Sequence, residues 1–513
     1  MINRSRREFL ADVGRGMLLA SVGPALASDL GLARVYAGED ADRLTFGKME
    51  PLVALMQETP IDKLLPVLVD KMKDATDLRT LVSAAALANA RTFGGEDYTG
   101  FHSFMALLPS YQMAQELPKD RQALPVLKVL YRNTNRIQQF GGVKKEVLHP
   151  VTPADLPKDR PGGELLREAT RKPDVEAAER TFAALAKGPI GEAYNHLQFT
   201  VQDELDVHRV VLAWRAWAVL DLAGKEQAHA LLRQSVRFCC DEEKSRKGAT
   251  PEIRTVLPKL LDQYKLPGKG LGSRKAEDKF IEELAAIIYG MDRAKAADAA
   301  AAALAEGMSP EAVGEAISLA ANRLVLCDPG LRKEHASAGK PEGSVHGASV
   351  GVHACDSANA WRNIARVTNE RNTVASLIVG AYHTAGQSSS LNKEPYPLDA
   401  HLEKIKSKDA DALLRDAEDA IKERDQARAA ALIHRYGEQD HPSRPVFDLL
   451  LKYAVSEDGA LHAEKYYRTV TEEFAASRPA FRWRQLVALA RVTASESGFP
   501  AAGYAEACRL LKV

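Results

Sequence analysis

Apolar residues recur along this chain at spacings of three and four, the period that lines one face of an α-helix. The runs from Ser309 to Leu326 (SPEAVGEAISLAANRLVL), from His208 to Ala223 (HRVVLAWRAWAVLDLA) and from Asp409 to Gly437 all carry it. Their remaining positions are rich in Ala, Glu, Lys and Arg, which favour helix. Alternating Val, Ile and Thr between turn residues, the mark of strands, is scarce. The pattern predicts an all-α protein built of helical hairpins.

The helical pattern is also written twice. Thr76–Asn89 and Ser309–Asn322 each run from a capping residue through an Ala/Leu-rich face to an asparagine, at an offset of 233. YTGFH, ending at His102, is echoed by SVGVH, ending at His353, at an offset of 251. LLREA from Leu165 returns as LLRDA from Leu413, and VQDELDVH, ending at His208, returns as VSEDGALH, ending at His462. Finally, the run Leu232–Arg237 pairs with Leu486–Arg491. Five echoes in one order, with offsets explained mainly by one insertion, predict an internal duplication. The halves are 45–265 and 276–513, joined by a Gly/Pro/Lys-rich linker at 266–275, with an inserted loop at 328–344. Stacked hairpins of this kind make an α-solenoid or an α/α ring.

The duplication singles out histidines. Of thirteen, His102 matches His353 and His208 matches His462. If the halves pack about a twofold axis, the four approach one region. Glu204 and Asp458 stand four residues before His208 and His462. On a continuous helix, that spacing puts acid and imidazole on one face, where they bind a divalent metal or make an oriented general base. A competing reading makes Asp203 or Asp206 an N-cap, which leaves Glu204 outside the helix, and Gly459 weakens the second copy similarly. Around His353, a glycine-rich stretch adds His346 and Asp356. The expected site therefore takes its metal ligands from His102, His353, His208, His462 and His346, with Glu204, Asp356 or Asp458 as carboxylate partner or base. Iron, zinc, manganese and copper all suit such a shell. The alternative is a non-catalytic helical-repeat scaffold that holds a small molecule or protein partner, its matched histidines being architectural. The string GASVG around Ser349 fits a nucleophile elbow only literally, because no strand precedes it.

Composition narrows the partners. With 69 basic and 69 acidic residues, the chain lacks the basic excess of a nucleic-acid binder. Five cysteines, two of them the adjacent Cys239 and Cys240, make neither a disulfide framework nor a zinc ribbon. At the N-terminus, Ser5–Leu10 reads SRREFL. A weakly apolar run from Met17 follows, ending in Ala25-Leu26-Ala27. This closely resembles a twin-arginine export signal. The resemblance implies recognition by the twin-arginine export machinery, cleavage near Ser28, and a periplasmic or extracellular protein carried in its folded state. Many passengers of that route hold cofactors. The apolar run is too short to span a bilayer, and no second run of about 18 apolar residues exists, so no membrane span is expected in the mature form.

Overall fold

The computed structural model describes residues 43–246, 251–345 and 349–513. The expected export signal at 1–27 and His346 lie outside these residues. Helices packed as hairpins make up the fold, and it is all-α. Among the described residues, β pairing is confined to isolated bridges such as Arg274 with Met308. None of their helices is long and apolar enough to cross a membrane.

The chain divides into two compact units that are not contiguous in sequence. The first comprises 43–108, 130–201 and 215–246; the second comprises 109–129, 202–214, 251–345 and 349–513. The helices that frame the sites are, in chain order, α1 (Leu78–Phe93), α2 (Tyr98–Ala114), α3 (Val207–Ala218), α4 (Ala228–Ser245), α5 (Pro310–Cys327), α6 (Val350–Val367), α7 (Glu370–Thr384), α8 (Arg444–Ser456), α9 (His462–Ala476) and α10 (Pro479–Glu496). Among the described residues, with four-residue helices set aside, ten helices run from Glu50–Glu58 to α4 and ten from Asp278–Tyr289 to α10. Each sequence echo falls on corresponding members.

In the first unit, α1 is buried on every side from Leu81 to Phe93 and packs against Glu50–Glu58 and α4. Its cap is Asp77, one residue beyond the expected Thr76, because the Asp77 carboxylate accepts the Thr80 amide at 2.7 Å. The Arg91 guanidinium in its last turn is fully buried and paired with Glu50 at 2.7 Å and Glu146 at 3.1 Å.

In the second unit, α5 packs against α6, α7, α10 and Asp278–Tyr289, and α9 packs against α6 and α10. α5 starts at the expected cap, Ser309. Small residues let these helices approach closely. A Cβ on Gly351 of α6 would lie 2.4 Å from the Val325 amide nitrogen of α5, so the two backbones touch there. The expected inserted loop departs after Cys327 and is closed at its neck. Leu331 N donates to Ser344 O, and Gly343 N donates to Leu331 O, both at 2.8 Å. Within the expected linker, Arg274 exchanges backbone hydrogen bonds with Gly307 and Ser309, each 3.0 Å.

Candidate metal centre

Three of the expected histidines meet inside the second unit. The rings of His353 and His462 stand edge to face, with centroids 5.3 Å apart, and their Nε2 atoms are 3.3 Å apart. The His208 ring meets His353 in the same manner at 5.8 Å. His353 comes from the first turn of α6, His462 opens α9 and His208 opens α3.

Two of the three imidazoles have a polar neighbour at Nδ1. His462 Nδ1 is 3.2 Å from the Ala460 carbonyl; in the neutral ring that carbonyl takes the Nδ1 proton, which leaves Nε2 as a lone-pair donor. His208 Nδ1 lies 3.6 Å from Asp206 Oδ2. Burial raises the Asp206 carboxyl, but its contact with His208 and the Arg209 amide outweigh this and hold it below the ordinary carboxylate range.

The turn that presents His462 is unusual. Ala460 (φ 46°) and Leu461 (φ 67°) are consecutive non-glycine residues in left-handed conformation. Such a turn persists only when its surroundings enforce it. Its flanks are braced by the Asp458 amide donating to Phe499 O at 2.7 Å, by the Phe499 amide donating to Glu457 at 2.6 Å, and by Lys128, whose side chain is buried. Its ammonium pairs with Glu464 at 2.7 Å and donates to the carbonyls of Ala454 at 2.9 Å and Glu457 at 2.5 Å. Two hydrogen bonds and one ion pair thus tie the end of α8 to the first turn of α9.

From the histidine pair a polar seam runs between α6 and α9. Thr469 donates to Asp356 at 2.8 Å; Asn359 at 2.9 Å and Arg362 at 2.6 Å both donate to Glu473. Residues 353, 356 and 359 recur at helical spacing on one face of α6, which Asn363 continues by donating to Glu472 at 2.9 Å. Cys355 and Tyr466 lie beside it. Burial pushes both the thiol and the phenol well up.

No family model, curated protein or solved structure matches this chain. The reading of the site therefore rests on its own geometry. Two nitrogens bound to one tetrahedral ion at about 2.0–2.1 Å stand roughly 3.3 Å apart. The His353–His462 spacing equals that value. A direct hydrogen bond between two ring nitrogens spans the same distance, as Trp361 Nε1 to His383 Nδ1 does at 3.3 Å, so the spacing fits both a shared ion and a hydrogen bond. Among the described residues, no three His, Cys, Asp or Glu side chains are gathered tightly enough to hold a metal ion. The described donor set is thus a pair with His208 adjacent.

The other expected residues are placed as follows. His102 belongs to the first unit, where its Nδ1 is 2.7 Å from Tyr98 O and its ring stacks on Phe101. The expectation that Glu204 and Asp458 share a helix face with the histidine four residues on is not met. Asp206 caps α3 by accepting the Arg209 amide at 2.8 Å, so the helix begins at Val207 and Glu204 precedes it. Asp458 precedes the turn Gly459–Leu461, whose left-handed residues break the helical register before His462. Ser349 is the N-cap of α6, and its hydroxyl donates to Asp328 at 2.7 Å. Sequence reasoning missed Asp206 as the orienting acid, although the Asp-x-His spacing was visible. It also missed Lys128, which nothing in its local sequence marks.

Proposed function

We propose that the chain is an exported metal-binding protein in which His353 Nε2 and His462 Nε2 hold one transition-metal ion. The observation that carries this reading is their 3.3 Å separation, with the His462 tautomer set by Ala460. His208, whose ring centroid is 5.8 Å from that of His353 and whose Nδ1 is 3.6 Å from Asp206, is the candidate third ligand. Asp356 is the nearest carboxylate along the seam and the candidate base. A site led by imidazole suits zinc, copper and iron, whereas Mg and Ca prefer oxygen ligands; manganese also remains within the set. The bound ion would act as a Lewis acid or redox centre. The export route rests on the Ser5–Leu10 motif. The common helix order supports an ancestral duplication, in which the α9 histidine and its α3 counterpart descend from one position.

Metal analysis of the folded, exported protein tests the reading. Near-stoichiometric zinc, copper, iron or manganese is expected, lost in a His353→Ala/His462→Ala variant that keeps its helical circular dichroism. Absence of metal from the wild type after incubation with each ion would contradict it and leave the helical-repeat scaffold. Full retention by the double variant would place the metal elsewhere.

A further inference from the structure

A cavity of about 510 Å³ opens on the second unit, away from the histidines in sequence and helix composition. That size falls within the roughly 300–1,000 Å³ range of small-molecule sites. Its floor is made of small apolar side chains, Ala285 and Ala286 of Asp278–Tyr289 and Ala320 of α5, which leave a broad shallow surface. Tyr396, between Pro395 and Pro397, forms a wall.

That wall is held in place. Tyr396 N donates to Leu326 O at 2.9 Å, and the Arg491 guanidinium lies 4.3 Å over the Tyr396 ring. Arg491 is itself fixed by hydrogen bonds to the carbonyls of Val325 and Leu326 at the end of α5. The cavity is therefore formed without a ligand, which reduces the ordering cost of binding.

The rim supplies the selectivity. Arg484 is neutralised by Glu282 at 2.7 Å, and His434 is paired with Glu438 at 3.1 Å. Arg323 differs: among the described residues it has no carboxylate partner, and its guanidinium rests 4.3 Å over the Tyr289 ring. One cation with its donors turned to solvent thus borders an apolar floor. Arginine recognises a carboxylate through a two-bond fork. We propose that this cavity binds a small carboxylate with an apolar body, the body lying on the alanine floor and the carboxylate pairing with Arg323. The site is independent of the metal reading.

Calorimetric titration of the full chain with 2-naphthoate, with and without chelator, tests it. Saturable binding is expected in both. Ala286→Trp, at an exposed floor position, fills the cavity and should weaken binding at least tenfold. Arg323→Gln should weaken 2-naphthoate about tenfold while leaving the neutral 2-naphthalenemethanol unchanged. No binding of 2-naphthoate at millimolar concentration overturns the proposal. So does unchanged affinity in both variants, or equal affinity of the wild type for the alcohol.

Discussion

Replacing Lys128 by methionine removes one of the groups that brace the turn before His462. The side chain of Glu464 is fully buried, and its 2.7 Å partner is the Lys128 ammonium. Methionine keeps most of the volume but leaves a buried carboxylate without its counter-charge. It also takes a donor from the carbonyls of Ala454 and Glu457. Breaking one side of a buried ion pair costs about 3–5 kcal/mol. For a unit of this size, that corresponds to a fall of roughly 10 °C in its melting temperature. The assay is thermal and urea unfolding of the single variant and of Lys128→Met/Glu464→Leu. Removing both charges should recover at least about 2 kcal/mol, because paired burial contributes little net stability. Metal affinity provides a second readout: it should fall with Lys128→Met, since Ala460 and Leu461 then relax and His462 moves. A single-variant cost below about 1 kcal/mol, or a double variant no better than the single, would refute the account of this turn.

Gly351→Ala should destabilise by about 1–3 kcal/mol, because the new methyl meets the α5 backbone at Val325, whereas Gly339→Ala, with open space around it, should be neutral in the same urea titration. Acid should cost stability through His383. Burial pushes this imidazole down to about 4, and Trp361 Nε1 donates to its Nδ1 at 3.3 Å. The unfolded chain titrates near about 6.5, so above that pH the group contributes no slope. Between about 6.5 and 4 only the unfolded state gains the proton, removing roughly 3 kcal/mol of stability; His383→Gln should show a correspondingly shallower loss in unfolding measured from pH 7 to 4. Asp206→Asn removes the carboxylate facing His208 and should lower metal affinity about 10–100-fold by calorimetry, with the helical signal unchanged.

The helices were legible because their signals are local: the three–four spacing, and caps such as Ser309. The histidine phrases were legible as repeated features, but their backbone was not. An acid four residues before a histidine reads as one helix face, yet Asp206 spends its carboxylate on capping α3. The left-handed Ala460 and Leu461 are residues that no local rule assigns to such a turn. The residues flanking them are tied together by Lys128, more than three hundred positions away in sequence. Repeat position pairs His353 with His102 and His462 with His208. The contact in the second unit is instead between His353 and His462, set by the packing of α6 on α9. That partnership depends on helix crossing, which periodicity does not encode.

The most direct measurement is an anomalous-difference map from a crystal of the protein grown with zinc. The account predicts one peak within about 2.0–2.1 Å of both His353 Nε2 and His462 Nε2. A map with no peak between them, and with the two rings joined by a direct hydrogen bond, would contradict it.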